Sequence, residues 1–431
     1  MNRREFIGVS AAFAALTGFG GETGKVSGKP MLSYRPCQTG VFDVWLKWSF
    51  TDGVEDARVE VAHAGGVTGL SFNQKNMPGW HFAGTFPLLQ DSEILATNRS
   101  VDTKNAVAAP PRGFEEVKLV PALPRTIRLS AHDGFSVCEL NVGDTLLFTM
   151  ADGTVRKIVL TGASAEVLGL KEDGIHINKY SFTQKFLIDG AEKTVVTVVP
   201  SVEFVNSVPL EVDGLQIFPD GVTDIYWDAG GFLHENCYRW IAATCRPMRR
   251  ARIVVQDKAK SLVPCKILPC FAGSEKPIDP KKSCYGGNNC WMGPNCDDKR
   301  NIGEAHCGFD FNMPASTPVV TPFALDDQYY LSSLSRGDTN NRWRGVRRWD
   351  NGEIWWFQCH HIDHILKEEH CPLPAGERFA LSGGMWYGSF MHSHFCLRVF
   401  RQVGEFDGVP AWESYWLNPG LLFRQTRADA Q

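Results

Sequence analysis

The sequence is dominated by short segments in which apolar and polar residues alternate, with turn-forming dipeptides between them. Between residues 43 and 50, apolar Val44, Leu46, Trp48 and Phe50 alternate with Asp43, Trp45, Lys47 and Ser49. Because successive side chains of a strand point to opposite faces, this pattern predicts a half-buried strand. A second pair of apolar segments flanks Asp152-Gly153, a dipeptide that suits a tight hairpin turn. Helical periodicity is scarce, and its best candidate, residues 238–244, is short, so we expect a mainly β chain.

Composition narrows the class of protein further. The chain has 431 residues, of which 43% are hydrophobic and 21% charged, and these values exclude wholesale disorder. At roughly 150 residues per domain, two or three domains are expected. The 41 Gly and 24 Pro residues favour turns and strands over long helices. A net charge of −4 gives no sign of a basic surface, so we expect no nucleic-acid partner.

The N-terminus carries a targeting pattern. Arg3 and Arg4 precede a short, weakly apolar run, which matches a twin-arginine export signal. This run is shorter than the ~20 apolar residues of a membrane-spanning helix, and no other stretch is long enough. We find no clear A-x-A cleavage site, so retention of the signal as an anchor stays open. The pattern predicts export to the periplasm or the exterior of a bacterium, where disulfides are permitted.

Two Pro-containing breaks, residues 108–113 and 274–283, suggest how the chain is divided. The division that follows is an export signal at 1–28, a β-rich module at 29–125, a second β-rich module at 126–272, a C-terminal domain at 284–410 and a tail at 411–431. The expected architecture is a C-terminal antiparallel β-sheet preceded by one or two sandwich-like modules. The upstream modules carry no motif, so inhibitory, wall-binding and spacer roles are all open.

Histidines concentrate in the C-terminal domain. Seven of the 12 lie within one fifth of the chain, at positions 306, 360, 361, 364, 370, 392 and 394. Histidine is the commonest metal ligand and the usual acid or base near neutral pH. The clustering therefore suggests a site.

Two short motifs place these histidines beside each other and beside a carboxylate. His392 and His394 are two residues apart, so both imidazoles would point to the same face of a strand. His306 and Asp310 flank Gly308, which we expect to give the chain the freedom to bring them together. Two histidines and a carboxylate make a ligand set that leaves the open fourth position of a catalytic zinc. Each motif alone is common by chance.

The surrounding segments make the combination specific. They read HCGFDFNMPASTPVVTP from residue 306, HIDHIL from residue 361, and GERFALSGGMWYGSFMHSHF from residue 376. In order and spacing this resembles the lysostaphin/LytM-type zinc endopeptidases, whose pattern is H-x-G-x-D, P-x-G-T-P-V, H-L-S-x-I, G-x-x-I-G-x-x-G and H-L-H-F. The resemblance covers residues 284–400, about a quarter of the chain. It implies the antiparallel β-sheet core, with a duplicated hybrid motif, of that family.

The resemblance also implies roles for individual residues. His306, Asp310 and His394 fall on the positions that bind zinc, one ion per chain. His392 falls on the histidine that assists the catalytic water. The implied reaction is hydrolysis of a peptide bond, usually in a cross-link or bridge peptide of peptidoglycan, which agrees with export.

His361 falls on the position that stabilises the transition state. The adjacent His360 competes for this role, although Ile362 and Ile365 fall on the family's apolar positions and so favour His361. Because neighbours in a strand face opposite ways, we expect only one of the two histidines to face the site.

Five residues depart from the family pattern: Ser316, Ala380, Phe390, Met391 and Cys396. None of them replaces a ligand or a catalytic histidine.

Two alternative functions remain. One is a catalytically inactive module that binds wall or regulates a wall hydrolase, and the other is a carbohydrate-binding β-sandwich with incidental histidines.

The 13 cysteines are an odd number, so at least one does not pair within the chain. We favour disulfides over a second metal site for Cys265, Cys270, Cys284, Cys290 and Cys296. A catalytic thiol among Cys307, Cys359 and Cys396 is a weaker alternative to zinc.

For the tryptophans at 343, 349, 355 and 356 we favour packing in the core over stacking on sugars.

Overall fold

The structure is a computed structural model. It describes residues 32–53, 57–74, 77–97, 113–170, 177–199, 209–223, 247–260, 291, 294–295, 304–305, 308–312, 315–332, 341–383 and 392–423. Strands account for 65% of it and helix for 1%, so the prediction of a mainly β chain is confirmed. Several sequence predictions fall outside the described residues: the export signal, the 238–244 helix, the 274–283 linker, His306, Cys307 and the cysteines at 265, 270, 284, 290 and 296.

The described strands are numbered in chain order. The first thirteen are β1 Leu32–Tyr34, β2 Gly40–Trp48, β3 Ala57–His63, β4 Gly66–Phe72, β5 Gly79–Leu88, β6 Ile94–Thr97, β7 Glu116–Pro121, β8 Thr126–Ser130, β9 Ser136–Leu140, β10 Thr145–Thr149, β11 Val155–Leu170, β12 Ile177–Ile188 and β13 Ala191–Val199. The next thirteen are β14 Leu210–Val212, β15 Leu215–Val222, β16 Ala251–Asp257, β17 Pro294–Asn295, β18 Glu304–Ala305, β19 Phe309–Asn312, β20 Pro318–Val320, β21 Asp327–Ser332, β22 Asn341–Arg348, β23 Ile354–Ile365, β24 Arg378–Ser382, β25 His392–Phe406 and β26 Val409–Leu417. A single helical turn, α1 Gly420–Phe423, follows β26.

The largest sheet joins the two ends of the chain. It has 11 strands, and its main path runs β20-β24-β23-β25-β26-β5-β2-β7; β19 pairs with β25, and β21 and β22 extend the sheet from β23. The C-terminal strands pair antiparallel, whereas β26 pairs with β5 in parallel through Ala411 opposite Trp80 and Trp412 opposite His81. Strand β26 extends into the range 411–431, which the sequence division assigned to a tail.

The N-terminal part packs as a sandwich. A four-stranded sheet, β1-β6-β3-β4, lies against β2 and β5 of the large sheet. Val44, Leu46 and Trp48 of β2 point into this core, as their alternation predicts. The strand is more than half buried, however, because Trp45 on its opposite face packs in a separate cluster with Trp80.

The middle of the chain forms two further sheets, β13-β12-β11-β10-β8 and β14-β15-β16-β9, which share one core. The predicted hairpin is confirmed: Thr149 of β10 pairs with Val155 of β11. Gly153 at its tip has a φ of 87°, in the left-handed region that a glycine adopts without strain.

The C-terminal sheet has one apolar face, and its other face is polar around the histidines but carries a small apolar cluster of Val346, Trp356 and Phe400. Trp355, Phe357 and Phe395 pack on the apolar face, against Phe135 and Val137 of the middle part. Trp343, Trp355 and Trp356 are buried, and Trp349 is half-buried against the same core, so the four tryptophans serve packing, as expected. The histidines project from the other face.

Buried charges tie the three parts of the chain together. Arg249 Nη1 donates to Asp43 Oδ1 of β2 at 2.7 Å, and its Nη2 donates to Glu413 Oε1 of β26 at 3.0 Å. Burial alone would raise the pKa of Glu413, but Arg249, Arg125 and Arg401 together hold it well below its usual value.

In the part of the chain that the structure describes, no helix is both long and apolar enough to span a bilayer.

Candidate metal centre

Three neighbouring strands bring the site residues together. Asp310 of β19 lies opposite His394 of β25, and His360 of β23 lies opposite His394 on the other side. His392 and His394 are two residues apart on β25, so both rings project from the polar face of the sheet. The strand order therefore places a carboxylate and several imidazoles around one point.

Asp310 is the centre of this arrangement. Its Oδ1 lies 2.8 Å from His394 Nδ1, and its Oδ2 lies 3.7 Å from His392 Nε2. All three residues are buried: Asp310 is 4% exposed, His394 7% and His392 9%. A buried carboxylate needs such partners, because an unpaired charge is costly to bury.

Neighbouring atoms lie so close to the Cα of residue 308 that only glycine fits there. A Cβ at this position would collide with the carbonyl oxygen of Phe395 and would lie 2.6 Å from both Cε1 and Nε2 of His394. Its φ lies outside the left-handed region, so chain flexibility, the reason expected from the sequence, is not what selects glycine here. The glycine lets the backbone immediately before β19 lie directly against the His394 ring.

A β-bulge at His361 changes which histidines reach the site. His360 pairs with Arg342 and Ile362 pairs with Asn341, so His361 is the extra residue, with a φ of 62°. The His360 ring lies 5.0 Å from that of His394, and the His361 ring lies 4.9 Å from that of His392. The expectation that only one of the two faces the site is therefore wrong, because the bulge interrupts the alternation.

Both of these histidines have a lowered pKa, which favours the neutral imidazole. Burial lowers the pKa of His361 well below its usual value, and the nearby His392 and His394 add to the effect. Burial also lowers the pKa of His360, assisted by Arg342 on the neighbouring strand. A neutral imidazole has one N–H donor and one lone pair, so it can bind a metal, accept a proton or donate a hydrogen bond.

Cys396 is a further member of the site. Its Sγ lies 3.0 Å from His394 Nε2, so the two ring nitrogens of His394 contact Cys396 and Asp310 respectively. The sequence gives a signal for this contact, because residues 394 and 396 share a strand face. The side chain is fully buried, which disfavours the catalytic thiol considered from the sequence.

The donor chemistry of Asp310 and His394 suits zinc. Carboxylate oxygen and imidazole nitrogen are both zinc ligands, and the structure presents one of each at adjoining positions. The third predicted ligand, His306, lies outside the described residues. Within those residues, no group of three or more His, Cys, Asp or Glu side chains is arranged to hold a metal ion.

Comparison with known proteins gives similarities at the level of structure. No protein-family model matches the sequence, and no curated protein matches it. The solution structure of lysostaphin is similar with 20% identity and a TM-score of 0.23, over 34% of this chain and 51% of that one. The chain thus spans about half the length of that structure.

Two further peptidase structures are similar. One is a mutant catalytic domain of the prophage-encoded M23 protein EnpA from Enterococcus faecalis, with 19% identity, a TM-score of 0.19, and 25% and 76% of the two chains covered. The other is a zinc-containing peptidase from Vibrio cholerae, with 12% identity, a TM-score of 0.22, and 61% and 82% covered.

Proposed function

We propose that this protein is an exported, zinc-dependent endopeptidase that hydrolyses peptide bonds in peptidoglycan cross-links or bridges. The observation that carries the proposal is the contact between Asp310 and His394 at 2.8 Å, with the rings of His392 and His361 beside it. The sequence motifs support peptidoglycan peptides as the substrate class, and the paired arginines at the N-terminus support export.

Three residues would hold the metal. His306, Asp310 and His394 would bind one zinc ion, which when bound supplies Lewis-acid polarisation of the scissile carbonyl and of the attacking water. The chain's own contribution is to bury Asp310 and His394 against each other and to hold the His394 ring in place through Gly308.

His392 is the proposed general base. Its Nε2 lies 3.7 Å from Asp310 Oδ2, so a proton taken up at Nε2 is stabilised by the carboxylate. General-base help of this kind contributes ~10²–10⁴-fold to the rate. His392 lies on the same strand face as His394, which supports a base beside the proposed metal ligands.

His361 is the proposed donor to the developing oxyanion. Because burial keeps this imidazole neutral, it has one N–H to donate and carries no competing charge into the site. The bulge directs the ring to within 4.9 Å of that of His392, so base and donor flank one position.

The assignment of ligands is tested by zinc content. We expect one zinc per chain in the wild type, and loss of zinc and of peptidase activity in His394→Ala. The matched control is His364→Ala, because His364 lies on β23 but its side chain is 51% exposed and pairs with Asp363. Elemental analysis after dialysis reports both variants, and circular dichroism checks that they are folded. Unchanged zinc in a folded His394→Ala protein contradicts the ligand assignment.

A further inference from the structure

We infer that Arg342 recognises a carboxylate of the peptide substrate, carried about three residues from the bond that is cleaved. Arg342 lies on β22, at the edge of the group of histidines, and its side chain is exposed. The inference rests on the proposed function, because it names a feature of the substrate for the same site. It goes further in predicting an anionic substrate, with the negative charge at a defined distance from the scissile bond.

The pairing of strands places Arg342 in one row with the site residues. Asp310 lies opposite His394, and His394 lies opposite His360. His360 in turn lies opposite Arg342, so the row crosses β19, β25, β23 and β22. Side chains directly opposite each other on paired strands project from the same face. The next residue, Trp343, packs in the apolar core, so Arg342 points to the other face, where the histidines lie.

The row also sets the distance between Arg342 and the proposed ligand His394. Neighbouring strands lie about 4.8 Å apart, so β22 is about 10 Å from β25, two strands away. An extended peptide advances about 3.3 Å per residue. A substrate that lies along the row with its scissile carbonyl at His394 therefore brings a group about three residues away to Arg342.

The guanidinium of Arg342 is available to a ligand. Other arginines of β22 have partners within the protein: the Arg344 guanidinium lies 3.7 Å from the centre of the Trp356 ring, and Arg347 Nη1 donates to Asp326 at 3.0 Å. No carboxylate of the described residues forms an ion pair with Arg342. A guanidinium is always charged in proteins, and its planar fork of N–H donors matches a carboxylate. Recognition therefore requires no change of protonation in the site.

The test uses the full-length protein and cross-linked peptidoglycan fragments made soluble with a muramidase. One portion keeps its carboxylates, and in the other they are converted to neutral amides with a carbodiimide and ammonium chloride. Arg342→Gln removes the charge, whereas Arg342→Lys keeps the charge but loses the fork. Arg348→Gln is the matched control, because Arg348 is an exposed arginine on the same strand and the same face, about 20 Å away. Thermal unfolding verifies that each variant is folded.

Initial rates, from mass analysis of the released peptides, give kcat and KM. On untreated fragments we expect Arg342→Gln to raise KM about tenfold with kcat nearly unchanged, because a contact remote from the reacting bond stabilises substrate and transition state alike. The KM of Arg342→Lys should lie between these values, and Arg348→Gln should match the wild type. Amidation should raise the KM of the wild type about tenfold and that of Arg342→Gln by less than about twofold.

A folded Arg342→Gln protein with the wild-type KM on untreated fragments overturns the inference and leaves the proposed function intact. An equal effect of amidation on the wild type and on Arg342→Gln does the same, because the carboxylate is then recognised elsewhere or not at all. A wild-type protein that cleaves neither preparation overturns the proposed function, and the inference falls with it. The two failures are therefore distinguishable.

Discussion

At the scale of single residues, the buried carboxylate of Glu353 shows how burial and nearby partners set a pKa. Glu353 is only 1% exposed. Trp355 Nε1 donates to Glu353 Oε2 at 3.2 Å, and Arg401 is 3.9 Å away. Burial raises the pKa of Glu353 to about 7, against the partial opposition of Arg401.

This raised pKa predicts a pH-dependent contribution to stability. Between pH 4.5 and 7 the folded state holds the Glu353 proton and the unfolded state releases it, so the free energy of unfolding falls as pH rises through this window. We expect Glu353→Gln to remove this dependence and to be more stable than the wild type at pH 8, by up to about 3 kcal/mol.

Urea unfolding at pH 5 and at pH 8 measures the effect, and Glu377→Gln, at a partly exposed ion pair with Lys367, is the control. A Gln variant with the same stability difference from the wild type at both pH values contradicts the raised pKa.

At this scale the sequence predicted which polar residues lie together in the site, but it did not predict the contacts between them. The two-residue spacing placed His392 and His394 on one face, and the structure places Asp310 beside both. The close approach of Gly308 to the His394 ring follows from pairing between strands about 80 residues apart, which local sequence does not encode. The contact between Cys396 and His394, by contrast, is local, because the two residues share one face of β25.

At the scale of elements, the bulge in β23 is the feature that shapes the site. A histidine at a φ of 62° carries none of the signals that a glycine would give, so the sequence predicts an uninterrupted strand and strict alternation. The structure instead turns both His360 and His361 towards β25. The strand pattern was thus predictable, whereas its one-residue irregularity was not.

Two substitutions at His361 can separate the cost of backbone strain in the bulge from the loss of the imidazole. Both His361→Ala and His361→Gly remove the imidazole, so we expect each to lower kcat by ~10²–10³-fold. Only glycine adopts a positive φ without strain, so His361→Gly is expected to be more stable than His361→Ala by ~1 kcal/mol. Steady-state kinetics and thermal unfolding measure the two effects.

His360→Ala serves as the comparison, because His360 contacts His394 but has no proposed step in the reaction; its kcat should fall by less than ~10-fold. A larger loss of kcat in His360→Ala than in His361→Ala contradicts the assignment of the oxyanion donor to His361.

At the scale of the whole molecule, the two ends of the chain share one sheet. Strand β26 pairs with β5, and Arg249 connects Asp43 of the N-terminal part to Glu413 of the C-terminal part. Hairpins are predictable because their partners are adjacent, but a parallel pair between residues more than 300 positions apart leaves no local pattern. The C-terminal sheet is therefore continuous with a module in which the sequence shows no motif.

The buried ion pairs predict that this connection is stabilising. Arg249→Met leaves Asp43 and Glu413 without their shared guanidinium, and breaking a buried pair in this way costs ~3–5 kcal/mol. Arg347→Met is the control, because Arg347 and Asp326 form a partly exposed pair worth under ~1 kcal/mol. Urea unfolding measures both, and a loss below ~1 kcal/mol in Arg249→Met contradicts a stabilising role for the connection.

The central claim is that the site hydrolyses peptidoglycan peptides with the help of zinc. The direct measurement is digestion of purified peptidoglycan by the full-length protein, with mass analysis of the released peptides, in the presence and absence of a chelator. We predict release of peptides cleaved within cross-links or bridges, abolished by the chelator, restored by added zinc and absent with His392→Ala. Release that persists with the chelator contradicts zinc dependence, and zinc binding without any release favours an inactive wall-binding module over an enzyme.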